Sequence, residues 1–114
     1  MIQYQDKASS NQLWNIVDTG NGYFKLMNKS SGMAMDVNGG SSTDGTAIIQ
    51  YTYAGSSNQL WTLIESLPGY FSVLSQNSGK AVEAQNGSLA DNALLVQQPR
   101  TNADQQLWSI VQVQ

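Results

Sequence analysis

Neither cysteine nor histidine occurs in these 114 residues. Their absence removes thiolate nucleophiles, serine–histidine triads and the usual zinc sites together, and leaves no disulfide to report on a redox compartment. Charge is scarce too, at 11% of residues, with five basic and eight acidic side chains and a formal net charge of −3. So few lysines and arginines exclude the basic footprint that nucleic acid requires, and they argue against an anionic membrane surface. Apolar runs such as Ala47-Ile48-Ile49 fall far short of the about 20 residues that span a bilayer, so no membrane insertion is expected. No basic-then-apolar leader opens the chain, so export would need a signal upstream of it. A sustained helical period is also missing, because Gly or paired Ser/Asn interrupts every candidate. What is plentiful is Gln, Asn, Ser, Thr and Gly. Neutral hydrogen-bonding side chains of this kind suit a neutral polyhydroxyl ligand.

The three tryptophans lie in three tripeptides, Gln12-Leu13-Trp14, Gln59-Leu60-Trp61 and Gln106-Leu107-Trp108, spaced 47 residues apart both times. A fixed long period means one supersecondary unit repeated and packed against its copies. Residues 69–111 slide onto 22–64 without a gap and match at 13 of 43 positions, including Gly22-Tyr23-Phe24 against Gly69-Tyr70-Phe71. Residues 1–17 match 48–64 at 9 of 17 positions. The chain therefore reads as one domain made of a partial repeat over 1–17, a repeat over 18–64 and a repeat over 65–114. Three whole repeats would need 141 residues; the 114 present fall 27 short, which equals the first two strands of the first repeat. The sequence thus predicts an open seam, relieved either by a homodimer or by the chain being a truncated part of something larger.

Each repeat carries four strand signals separated by turn residues. In the middle repeat these are Gly22–Asn28, Met33–Val37, Ala47–Tyr53 and Asn58–Ile64. The first alternates Phe24, Leu26 and Asn28 against Tyr23, Lys25 and Met27, and the third is rich in β-branched and aromatic residues. Between the second and third, Asn38 to Gly45 reads as a loop. The fold class is all-β.

Ser31-Gly32-Met33-Ala34-Met35-Asp36-Val37, Asp44-Gly45-Thr46 and Asn58-Gln59-Leu60-Trp61 form a pattern that resembles the ricin B-chain type lectins and the related carbohydrate-binding modules of bacterial glycosidases. The resemblance covers essentially the whole chain, and three Gln-x-Trp at one spacing make it specific. It implies a β-trefoil: three repeats about a pseudo-threefold axis, with a six-stranded barrel and a hairpin cap. The family often carries a cysteine pair in each repeat; here those positions are Ala34 and Tyr53. A propeller needs at least about four blades of 40–50 residues, and a sandwich leaves the periodic Trp unexplained.

The Trp itself reads as core, since burying an indole stabilises by several kcal/mol. The Gln two residues before it reads as tying a loop to backbone. Sugar recognition needs other parts: an aromatic face for the ring's C–H patch, a carboxylate for adjacent hydroxyls, and an amide that donates and accepts. In the middle repeat the resemblance assigns these roles to Tyr51, Asp36 and Asn58, with Gln59 in support. Ile49 departs from the family, which often has a Gln there. The alternative for Asp36 and Asn58 is loop capping. In the last repeat Glu83 stands for Asp36, Gln98 for Tyr51 and Gln105 for Asn58, so that site reads as degenerate, with Arg100 in the place of Tyr53. The first repeat keeps Tyr4, Asn11 and Gln12 but has no carboxylate.

Paired carboxylates can hydrolyse glycosides, but Asp36 and Glu83 occupy equivalent places in different repeats and would face separate sites. The sequence therefore predicts a non-catalytic lectin or polysaccharide-targeting module without cofactor or metal, binding a mono-, oligo- or polysaccharide. A protein-interaction or inhibitor trefoil is the alternative. By analogy with the family, an extracellular setting is expected.

Overall fold

The structure is a computed structural model and describes residues 14–84, 95–101 and 103–109. Nine strands lie in this part: β1 Trp14–Gly20, β2 Tyr23–Asn28, β3 Ala34–Val37, β4 Ile48–Tyr51, β5 Trp61–Leu67, β6 Tyr70–Ser75, β7 Ala81–Ala84, β8 Leu95–Gln98 and β9 Trp108–Ser109. Short 3-10 turns cover Asn38–Gly40, Ser57–Gln59 and Asp104–Gln106. The described elements contain no α-helix, as the broken periodicity requires.

Antiparallel pairing sets the strands in the row β1-β2-β5-β6-β9. Two hairpins hang from this row, β3–β4 from β2 through Met27↔Ala34 and β7–β8 from β6 through Leu74↔Ala81. Their pairings recur at an offset of 47 residues, down to the register shift at Asp18/Gly20 and again at Glu65/Leu67. The turn leaving β2 closes with Asn28 N donating to Met33 O, and the turn leaving β6 with Ser75 N donating to Lys80 O. Gly32 (φ 71°) and Gly79 (φ 74°) occupy the left-handed position of these two turns, where a β-carbon would be strained. Ile16 and Val17 of β1 are exposed, whereas Leu63 and Ile64 at the same places in β5 are half-buried.

The core gathers Leu26, Met35, Val37, Ile48, Trp61, Val73, Val82 and Leu95 between the row and the two hairpins. Trp61 is fully buried, and its area alone contributes roughly 4–6 kcal/mol. Its indole Nε1 donates to Met35 O at 3.1 Å, and Trp108 Nε1 donates to Val82 O at 3.1 Å. Trp14 and Trp108 are half-buried against the same cluster.

Two strand limits differ from the sequence reading. The third strand of the middle unit is only Ile48–Tyr51, because Ala47 turns away to bridge Val96. The fourth starts at Trp61 rather than Asn58 and runs on to Leu67. Residues Ser57–Gln59 form a 3-10 turn instead, which swings the Gln59 side chain inward to meet the backbone of Ala54 and Gly55.

Candidate functional site

The β3–β4 hairpin has two unlike faces because side chains alternate along a strand. Met35, Val37 and Ile48 point into the core. Ala34, Asp36, Ile49 and Tyr51 share the other face, with Asp36 opposite Ile49 and Ala34 opposite Tyr51. Tyr51 is therefore the diagonal neighbour of Asp36, at the about 7–8 Å such pairs show. Tyr51 is 61% exposed, while Asp36 is only 5% exposed.

Asp36 is held by the turn that follows the hairpin. Asn58 Nδ2 donates to Asp36 Oδ1 at 3.0 Å, and Gln59 Nε2 donates to Asp36 Oδ2 at 2.9 Å. Burial pushes the Asp36 carboxyl above the ordinary aspartate range, and these two hydrogen bonds oppose that rise. An ionised carboxylate offers about four lone-pair sites, so these two amides fill about half of them.

Gln59 is buried with every hydrogen-bonding place filled. Its Oε1 accepts from Ala54 N at 2.7 Å and Gly55 N at 3.2 Å, and its Nε2 also donates to Thr52 O at 2.8 Å. Its side chain ties the loop at Ala54 and Gly55, as the sequence reading of it as a loop tie expects, and holds Asp36 as well. Asn58 is more committed than that reading had it. Its Nδ2 also donates to Val37 O at 3.1 Å, so both amide hydrogens are engaged and only Oδ1 remains, as an acceptor.

The β7–β8 hairpin repeats part of the arrangement. Gln106 Nε2 donates to Glu83 Oε1 and to Pro99 O, each at 2.9 Å, and Gln106 Oε1 accepts from Thr101 N at 2.8 Å. Gln98 shares a face with Glu83, whereas Gln105 is exposed, and among the described residues no hydrogen bond joins it to Glu83. Arg100 Nη2 donates to Ser66 Oγ at 2.9 Å. Tyr53, in the place equivalent to Arg100, has the Lys25 ammonium 4.6 Å from its ring centroid. Tyr4, Asn11 and Gln12 lie outside the described residues.

Sequence reasoning missed two contacts that shape the site. Asn77, from the turn after β6, donates from Nδ2 to Gly40 O at 2.8 Å and accepts on Oδ1 from Ser57 Oγ at 3.3 Å. It thereby ties the Asn38–Gly40 turn to the Ser57–Gln59 turn that carries Asn58. Gln97 joins the two units, its Nε2 donating to Ser41 O and to Thr43 O, both at 2.9 Å. The period alone marks it, since Gln3, Gln50 and Gln97 are equivalent.

The arrangement of a barrel-like row with outlying hairpins recurs in solved structures. The chain is 40% identical to ThreeFoil, a designed 3-fold symmetric protein, with a TM-score of 0.96 over 98% of this chain and 80% of that one. It is 35% identical to part of an exo-β-1,3-galactanase from Clostridium thermocellum, with a TM-score of 0.93 over 96% of this chain but 24% of the galactanase. The lectin of Polyporus squamosus, solved with Neu5Acα2-6Galβ1-4GlcNAc bound, shares 30% identity and a TM-score of 0.77 over 92% of this chain and 38% of the lectin. The fold is a β-trefoil. The model of the ricin-type β-trefoil lectin domain-like family matches residues 1–51 and 57–114, and the chain belongs to that family. No curated protein sequence matches it.

Proposed function

We propose that this chain is a non-catalytic carbohydrate-binding domain whose best site lies in the middle repeat, at Asp36, Tyr51 and Asn58. The observation that carries the reading is a carboxylate held by two amides on the same hairpin face as an exposed tyrosine. Tyr51 supplies the stacking face. Asp36 takes two adjacent hydroxyls, and Asn58 Oδ1 accepts from a third. Gln59 positions Asp36 from below. The last repeat, with Glu83, Gln98 and Gln105, offers a carboxylate without an aromatic face and binds more weakly. Tyr4 and Asn11 belong to a third site in the first repeat.

Asp36 and Glu83 each answer to a separate glutamine in a separate hairpin. They do not form the paired carboxylates that would flank one glycosidic bond, so the reading is binding and not hydrolysis. The likeness to a quarter of a galactanase supports a role as a secreted glycosidase's anchor on its polysaccharide. A glycan array probed with the whole chain tests the proposal, and binding to at least one neutral oligosaccharide is expected. A blank array together with a specific protein recovered by pull-down would instead favour a protein-interaction module.

A further inference from the structure

The loop that follows Asp36 in the middle repeat, Asn38 to Thr46, is held in place by side chains of the last repeat. Gln97 donates to Ser41 O and Thr43 O, and the Lys80 ammonium donates to Ser42 O and pairs with Asp44 at 3.3 Å. These contacts fix the half of the loop farther along the chain from Asp36. The half next to Asp36 is fixed by Asn77, whose Nδ2 donates to Gly40 O at 2.8 Å.

Asn77 belongs to the turn between β6 and β7, and that turn is itself anchored on the middle repeat. Gln76 N donates to Leu60 O at 2.9 Å, just beyond the Ser57–Gln59 turn. Asn77 Oδ1 accepts from Ser57 Oγ at 3.3 Å, at the head of that turn. One carboxamide therefore spans from Gly40 to Ser57, and Asn58 lies beside both. A β-carbon built on Gly40 would stand 3.8 Å from Asn58 Cγ and Nδ2 alike, so the Asn58 carboxamide packs directly beside Gly40. Its Nδ2 is committed to Asp36 and Val37, which leaves Oδ1 as the atom that the spacing of Gly40 and Ser57 governs. The repeat period does not foretell this clamp, because Ser30 stands at the place equivalent to Asn77 and has no carboxamide.

We propose that Asn77 is a positioning residue for the middle sugar site, which is thereby completed across two repeats: the last repeat sets where Asn58 Oδ1 accepts a sugar hydroxyl. The sugar contact rests on the carbohydrate reading, and the clamp on Asn58 does not. Asn77 acts by spacing. Without it the Asn38–Gly40 turn is free to part from the Ser57–Gln59 turn, while Gln59 still holds Asp36. The loss falls on one hydroxyl contact and spares the stacking face of Tyr51.

Asn77→Asp is the sharper probe, because it keeps the shape and the acceptor for Ser57 but sets a carboxylate oxygen against Gly40 O. Asn77→Ala removes both bonds. Asn77 is exposed, so both chains should melt close to the wild type. Without ligand, the Asn58 side-chain NH2 should exchange with water about fivefold faster in either variant, while the Gln106 NH2 stays as protected as before. With the best glycan from the array, either variant should bind about three- to tenfold more weakly, the scale of one hydrogen bond. In an Asn58→Ala chain the Asn77→Ala change should weaken binding no further, whereas in a Tyr51→Ala chain it should keep its full effect. A merely structural asparagine would not single out Asn58 in this way. Unchanged exchange at Asn58, or an Asn77 effect that persists in the Asn58→Ala chain, would overturn the proposal. A wild-type chain that binds no glycan would overturn the sugar contact together with the carbohydrate reading, while faster exchange at Asn58 would still uphold the clamp.

Discussion

Gln59 and Asp36 are joined by a 2.9 Å hydrogen bond, and 47 residues further on Gln106 and Glu83 are joined by another of 2.9 Å. In each case the same amide nitrogen also holds a backbone carbonyl seven residues earlier, Thr52 or Pro99. One glutamine therefore fixes a loop and aims a carboxylate together. Gln59→Ala should leave the amides of Ala54 and Gly55 without partners and Asp36 with one anchor fewer, at a cost of about 2–4 kcal/mol. Denaturant melts of the variant check this, and a change below about 0.5 kcal/mol would show that the network is not structural.

Tyr51 and Asp36 should separate binding from stability. Tyr51 is exposed, so Tyr51→Ala should weaken sugar binding by about 1–2 kcal/mol and leave the melting temperature alone. Asp36→Ala should weaken binding and also destabilise by about 1–3 kcal/mol, because Gln59 and Asn58 lose their acceptor. Calorimetric titration paired with thermal melts reads both effects. An Asp36→Ala chain of unchanged stability that still binds would contradict the account.

The raised pKa of Asp36 sets two pH trends of opposite sign. Burial is the larger influence, so the folded value lies above the unfolded one and the folded state holds the proton more tightly. This group's contribution to stability therefore falls as pH rises through the ordinary aspartate range to the folded value, and is level above it. Sugar affinity should do the reverse, because a protonated carboxyl loses acceptor capacity. Affinity should fall on acidification, starting above the usual aspartate range, and Asp36→Asn should flatten that profile. A wild-type profile that is flat down to the ordinary aspartate range would count against a carboxylate contact.

How much of this was legible in the residues depends on range. The turn glycines and the alternation in β2 are local and led to the all-β class directly; the Gln-Leu-Trp period led to the repeat, and the resemblance to the ricin B-chain type lectins led to the trefoil. The start of the fourth strand was misread because Gln59 turns back on its own loop to accept from the amides of Ala54 and Gly55, and the propensity of Asn58 does not mark the 3-10 turn at Ser57–Gln59 that goes with it. The grouping of Asp36, Asn58 and Gln59 in one place followed from the family pattern, while their hydrogen bonds to one another and the engagement of both Asn58 amide hydrogens needed the structure. Three identical tryptophans are not equally buried, since Trp61 has neighbours on every side and Trp14 and Trp108 do not. The Gln97 joint was invisible because it links residues more than fifty apart, with only the repeat offset to mark it.

Ser75 offers a test of the internal repeat by repair. It occupies the place of Asn28, whose Oδ1 accepts from Ser30 N at 2.9 Å and Ser31 N at 3.0 Å. The Ser75 hydroxyl is buried and makes no hydrogen bond. Ser75→Asn should reach the amides of Asn77 and Ser78 in the same manner and stabilise by about 0.5–1.5 kcal/mol. A loss of stability on thermal melting would show that the two turns differ in packing more than their backbone bonds suggest.

The central claim is that the middle hairpin is where sugar sits, and a residue-resolved NMR titration with the best ligand from the glycan array tests it most directly. The account predicts that the first and largest shifts fall on Asp36, Tyr51 and Asn58, with weaker ones later at Glu83 and Gln98. Shifts that spare β3, β4 and the Ser57–Gln59 turn, and fall instead around the exposed Leu67 and Tyr70, would contradict it.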